Sequence, residues 1–242
     1  MAESIAIPSP AGQIPAFSSS PTGRARGAVI VVQEAFGLTE HIAEIVDRLA
    51  AEGYRSIAPA LFHRQGSPVV EYEALHVAEK TERLLEIMGQ LSGEEIAADL
   101  DATLEHLVAE GFSAESTGMV GFCMGGAVVC AACSRPGIAA GVTFYGGGVT
   151  TGRFGMPPLV EVAPAIVHPW LGLYGDEDPS IPVEQVEALR DAAATATAPT
   201  EIIRYAAAGH GFNCDARPDH FNAAAAADGW SRMLAFFAEH LD

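Results

Sequence analysis

Apolar residues along this chain alternate between two rhythms: short unbroken runs rich in β-branched residues, and longer segments in which they recur every three or four positions. The unbroken run over residues 28–32 is expected of a central parallel strand buried on both faces. A helical period over 39–51, stopped at Gly53, reads as its crossover helix, and 55–58 gives the next strand. Residues 94–110 form an amphipathic helix with Ile96, Leu100, Leu104 and Leu107 on one face, ended by Gly111. Further strands are expected at 117–121, 139–145, 165–174 and 201–205, and helices at 126–134, 183–194 and 221–241. Ahead of these, 4–7 and 13–17 read as an antiparallel edge hairpin around the turn at 8–12. The stretch 61–93 is less regular, with a loop at 63–68 and a largely helical 69–90, and is where an insertion covering a substrate would lie. The unbroken βαβ alternation predicts a doubly wound, mostly parallel sheet flanked by helices, in one α/β domain spanning 1–242.

Charge narrows the partners. Lysine plus arginine total 13 against 31 aspartate plus glutamate, a formal net charge of −18, which argues against nucleic acid or an anionic membrane surface. The N-terminal residues have no basic segment followed by a long apolar one, and no run approaches the roughly 18 apolar residues of a membrane span, so a cytoplasmic protein is expected. Four cysteines are too few for a disulfide scaffold. Cys130 and Cys133 fall on the helix after Cys123, with no second ligand pair at metal spacing, and read as packing residues. His41, His76, His106, His168, His220 and His240 lack ligand spacing and read as structural or surface residues.

Candidate chemistry centres on Gly121-Phe122-Cys123-Met124-Gly125-Gly126, between a strand and an alanine-rich helix. A nucleophile at the tip of a sharp strand-to-helix turn needs small residues two positions away, and a helix N-terminus favours a thiolate. A buried packing cysteine is the plainer alternative. Downstream, a strand leads into Asp176-Glu177-Asp178-Pro179-Ser180-Ile181-Pro182, and the following strand into Ala208-Gly209-His210-Gly211-Phe212. Nucleophile, acid and histidine thus occur in the order of an α/β-hydrolase triad, with Asp176 and Asp178 both available as the acid. Glu34, at the end of a buried strand, is either a hydrogen-bonded structural acid or part of the site.

Together with Gln33-Glu34-Ala35-Phe36-Gly37, Gly53-Tyr54, Ala58-Pro59 and Phe144-Tyr145-Gly146, these motifs resemble the dienelactone hydrolase family of cysteine α/β-hydrolases over nearly the whole chain. The resemblance implies the α/β-hydrolase fold, hydrolysis of a small lactone or related activated ester, and no metal or organic cofactor. It implies Cys123 as nucleophile, His210 as proton carrier, and, through the frame Gly175-x-x-Asp178-x-x-Ile181-Pro182, Asp178 as the acid. Glu34 would hold the resting thiol neutral, and the backbone N–H groups of Ala35 and Met124 would form the oxyanion hole. Where family members that take a carboxylate-bearing lactone have an arginine, this chain has Thr81, so Arg64 and Arg83 are the candidates for an anionic substrate, with Tyr145 as a pocket wall. A broader carboxylesterase or thioesterase, and a non-catalytic binding protein, are the alternatives. The expected partner is a small molecule, and the expected assembly a monomer or small homo-oligomer.

Overall fold

Eight strands form one sheet in the order β1-β2-β4-β3-β5-β6-β7-β8. The structure is a computed structural model and describes residues 1–67, 69 and 78–241. Strands β1 (Glu3–Ser9) and β2 (Gly12–Ser19) make the edge hairpin, and β2 also pairs antiparallel with β4 (Arg55–Pro59). Every other pairing, through β3 (Ala28–Val32), β5 (Thr117–Phe122), β6 (Ala140–Phe144), β7 (Trp170–Gly175) and β8 (Thr200–Tyr205), is parallel. Strands β3 to β7 are buried throughout, which is why they read as continuous apolar runs.

Helices cover both faces. Helices α1 (Glu40–Ala51) and α7 (Ala223–His240) pack Ile42, Ile45, Leu49, Met233 and Phe237 against Val29, Val31, Val120 and Phe122. On the other face lie α3 (Gly93–Ala109), α4 (Met124–Ala132) and α6 (Val183–Ala193), whose Ile96, Leu100, Val128 and Leu189 share a core with Ile30, Val32 and Ile57. Helix α2 (Ala78–Gly89) sets Leu84 against Ala35 and Phe36, at the end of the sheet where the parallel strands finish. Among the described residues no helix is long and apolar enough to cross a membrane.

Boundaries differ from expectation at three places. The strand expected from residue 165 begins at Trp170 instead: residues 163–165 form a 3-10 turn, Val167 and His168 both donate to the Cys133 carbonyl, and Pro169 has no N–H to give. The helix after Cys123 starts at Met124, two residues early, and the Gly/Pro-rich loop over 146–164 contains the one-turn helix α5 (Leu159–Val162). Of the helical stretch expected over 69–90, residues 78–89 are helical. His76, residue 68 of the expected loop, and the side chains of Lys80 and Thr81 lie outside the described residues.

One buried polar chain fixes α4 to the sheet. The Trp170 indole Nε1 donates to Thr143 Oγ1 at 3.0 Å, and that hydroxyl donates to the Gly126 carbonyl at 2.8 Å. Replacing the hydroxyl by a methyl strands a buried donor and a buried acceptor, each worth about 1–3 kcal/mol. Thr143→Val is therefore expected to lower unfolding free energy by about 2–5 kcal/mol in urea titrations with little change in m value.

Candidate active site

Cys123 stands between β5 and α4 with φ 53° and ψ −113°, a strained conformation for a residue with a side chain. Two glycines make that turn possible. A Cβ on Gly121 would sit 2.1 Å from the Gly125 carbonyl oxygen, and one on Gly125 would sit 2.2 Å from the Val32 oxygen. The first turn of α4 is thereby pressed onto the end of β3, directly beside Gln33, Glu34 and Ala35. Met124 opens α4, so its N–H has no acceptor within the helix and faces out from the helix start. Gln33 braces the loop after β3: its carboxamide donates to the Glu34 carbonyl and accepts the Leu61 N–H.

The histidine and the acid meet through the ends of β7 and β8. Asp176 N–H donates to the Tyr205 carbonyl and Glu177 N–H to the Ala208 carbonyl, so the two loops run side by side. His210 Nδ1 then lies 2.6 Å from Asp178 Oδ2. Asp178 is only 3 % exposed, and its other oxygen accepts the Ser180 hydroxyl at 2.6 Å and the backbone N–H groups of Ser180 and Ile181. Burial acts to raise its carboxyl, but the His210 contact and the Ser180 bonds outweigh it and hold the group below its ordinary range. Asp176 is instead held bidentate by Arg204, at 2.7 and 2.9 Å.

His210 is also coupled electrostatically to the Cys123 side chain, which links thiol, imidazole and Asp178 in turn. Burial disfavours an imidazolium there. Negative charge at Cys123, followed by the Asp178 bond, more than reverses that and pushes His210 up to about 10 from its ordinary 6.5. Tyr145, with φ 41°, sets its ring 5.2 Å from the His210 ring at a tilt of 58° and edge-on to Phe212 at 5.2 Å, which walls the imidazole on one side. An imidazole held at one nitrogen by a carboxylate and coupled to a thiol can take a proton from sulfur and return it to a leaving group.

Glu34 is 1 % exposed in the loop just past β3, one residue beyond the Val32–Gln33 backbone that Gly125 presses on. The candidate arginines lie elsewhere. The Arg64 guanidinium grips buried Asp99 at 2.6 and 2.9 Å, beside His63, and Arg83 pairs with Glu86 on an exposed face of α2. Two residues without a sequence assignment do reach the site. Ser180 holds the acid, and its place two residues after an aspartate is a recognisable turn signature. Arg217 has its guanidinium 5.3 Å from the Phe36 ring centroid and one nitrogen 3.3 Å from where a Cβ of Gly211 would lie. It also donates to His220 Nε2, which leaves His220 Nδ1 to donate to the His210 carbonyl at 3.0 Å. Nothing local in the sequence marks Arg217.

A mostly parallel eight-stranded sheet with a strand-turn-helix corner at Cys123 and acid and histidine loops after β7 and β8 is an α/β-hydrolase. The family model described as "Dienelactone hydrolase family" matches residues 14–241, and the chain belongs to that family, as a carboxylic ester hydrolase. A Yersinia pestis protein named "Putative carboxymethylenebutenolidase" is 38 % identical over 97 % of this chain and 86 % of its own length. A Rhodococcus opacus "Carboxymethylenebutenolidase" is 29 % identical over 93 % of this chain and 85 % of its own. The crystal structure titled "Putative Dienelactone Hydrolase" from Klebsiella pneumoniae superposes with a TM-score of 0.88 at 36 % identity, covering 99 % of both chains.

The His210 shift has a sign that can be measured. A histidine whose folded pKa is raised adds stability that is complete below its unfolded value near 6.5 and is lost as pH climbs through about 10. The lowered Asp178 works in the opposite window, adding stability above its ordinary 3.8 that is lost as pH falls through its depressed value. Because charge at Cys123 leads the upward push, His210 in Cys123→Ala is expected to titrate at lower pH than in the unmodified protein, as followed by imidazole NMR. Identical midpoints would show that Cys123 and His210 are not coupled.

Proposed function

We propose that the protein hydrolyses a lactone, a dienelactone-like cyclic enol ester or a related small activated ester, through a Cys123–His210–Asp178 triad and an acyl-cysteine intermediate. The observation that carries this reading is the short Asp178 Oδ2–His210 Nδ1 contact, with His210 coupled electrostatically to Cys123 at the strained turn. The names of the relatives, carboxymethylenebutenolidases, support the lactone as substrate class.

The steps follow from those contacts. With Nδ1 held by Asp178, Nε2 takes the thiol proton once substrate has entered, which creates the charge at Cys123 that raises His210, and the sulfur attacks the ester carbonyl. The backbone N–H groups of Ala35 and Met124 stabilise the resulting oxyanion, each worth about 3 kcal/mol. Collapse expels the enolate or alkoxide, which takes the proton back from His210 and in a lactone stays attached through the acyl chain. Water then gives its proton to His210, attacks the thioester and releases the thiol. Glu34 acts on the resting thiol, keeping it protonated until substrate enters, and Tyr145 keeps the imidazole in plane.

Site-directed variants test the assignment. Cys123→Ala is expected to lower kcat by several orders of magnitude, and Asp178→Asn by about 10³ to 10⁴ through loss of the useful tautomer. Asp176→Asn should cost much less, since Arg204 already binds that carboxylate away from His210. Iodoacetamide should label Cys123 alone: Cys130 and Cys133 are fully buried, and burial pushes the Cys130 thiol up to about 12. Full activity in Cys123→Ala would end the proposal.

A broader carboxylesterase or thioesterase is the second reading, favoured by the engagement of Arg64 and Arg83 in ion pairs of their own. Arg217, between the loop after His210 and Phe36, is then the cation suited to a carboxylate-bearing lactone. On the lactone reading Arg217→Met raises KM for the anionic lactone about 10- to 100-fold and leaves a neutral aryl acetate nearly unchanged. Arg64→Met should instead reduce thermal stability with no selectivity between the two substrates, because it unpairs buried Asp99. Faster turnover of the neutral ester, with no selective effect at Arg217, would favour the broader esterase.

A further inference from the structure

We propose that His41, Glu44 and Asp215 form a divalent-cation site, of the zinc class, that ties the start of α1 to the loop following His210. His41 carries the argument. Its side chain is 1 % exposed, yet neither ring nitrogen has a hydrogen-bond partner, which is rare for a buried imidazole. Its Nδ1 points at Asp215 Oδ1 at 3.4 Å, too long and too poorly aligned for a hydrogen bond. Glu44 is three residues further along α1, so it shares a helix face with His41. One donor atom from each of the three falls within 4.8 Å of the others.

The donor set suits zinc. One neutral imidazole nitrogen and two carboxylate oxygens, completed by water, make a four-coordinate site of borderline character. The His41 ring is set edge-on to Phe122, at 6.4 Å and 73°, so packing holds its orientation before any ion arrives. Asp215 is 56 % exposed, which gives the ion a path from solvent. Arg48, one turn beyond Glu44 and seated over the Trp230 ring at 3.8 Å, interacts with both carboxylates and offsets their repulsion. The ion would displace that influence and join two segments that flank the proposed triad: α1, which follows the loop carrying Ala35, and the loop that leaves His210.

The test separates this site from the sulfur, and its outcome is independent of the hydrolase reading. Tag-free protein carrying Cys123→Ala removes the one partly exposed thiol, the other three cysteines being buried. Calorimetric titration with Zn²⁺ alone is expected to show one saturable equivalent, with a rise in Tm of about 5 °C at 100-fold excess over Kd. Glu44→Gln and Asp215→Asn, both isosteric changes at exposed positions, are each expected to weaken binding at least about tenfold and to abolish most of the Tm rise. Co²⁺ should give the visible absorption of a four-coordinate nitrogen and oxygen site, lost in the same variants. Absence of saturable binding, or an affinity untouched in both variants, would overturn the proposal.

Discussion

The close backbone contact between the first turn of α4 and the ends of β3 and β5 is the constraint on which the rest of this site depends. With 2.1 and 2.2 Å between would-be Cβ atoms and carbonyl oxygens, no residue but glycine fits at 121 or 125. That contact holds Cys123 in a conformation costing roughly 1–3 kcal/mol, which the surrounding buried sheet must sustain. It sustains it from several sides: Cys123 N–H donates to the Phe144 carbonyl, and the Trp170–Thr143–Gly126 chain anchors the helix behind it. The strain lifts the sulfur off the sheet edge toward the histidine, while the same contact brings the loop of Glu34 and Ala35 alongside.

Two carboxylates only two residues apart acquire different characters from their partners. Asp176 faces Arg204, which also holds Glu187, in a half-buried network that the solvent still partly screens. Asp178 turns inward, where Ser180 and two backbone N–H groups use one oxygen and leave the other aimed at His210. A carboxylate fixed in that way can orient an imidazole without rotating away from it, and its lowered pKa keeps it charged while the imidazole gains and loses a proton.

How much could be read from the sequence follows from how local each cause is. Strand β3 was predicted at its observed bounds because burial on both faces leaves an uninterrupted apolar run, and the nucleophile turn was visible because its glycines are sterically required within five residues. The start of β7 was not, since the apolar run over 165–174 crosses Pro169 and two N–H groups that bond to Cys133, a partner more than thirty residues away. Ser180 was legible in principle from its spacing to Asp178. Arg217 and the His41–Asp215 approach were not, because their partners come from distant segments that only the folded loops bring together.

Net charge acquires a different meaning once the arginines are located. Arg55 is bidentate to Glu110, Arg64 to Asp99 and Arg204 to Asp176, and Arg135 donates through one nitrogen to both Asp101 oxygens, so much of the scarce positive charge is already neutralised by acids of the same chain. The excess of acidic residues therefore sets the long-range field, which repels an anion and is screened within about 10 Å at ordinary salt. Capture of a carboxylate-bearing ester has to be a short-range matter, decided by a guanidinium within hydrogen-bonding reach of the substrate. Arg217 lies beside the histidine loop and against the aromatic ring of Phe36, where apolar surface lowers the local dielectric and strengthens such a bond. On the proposed role of Arg217, substrate charge preference would be a property of one loop, the same loop that carries His210, and could change without altering the strained turn at Cys123.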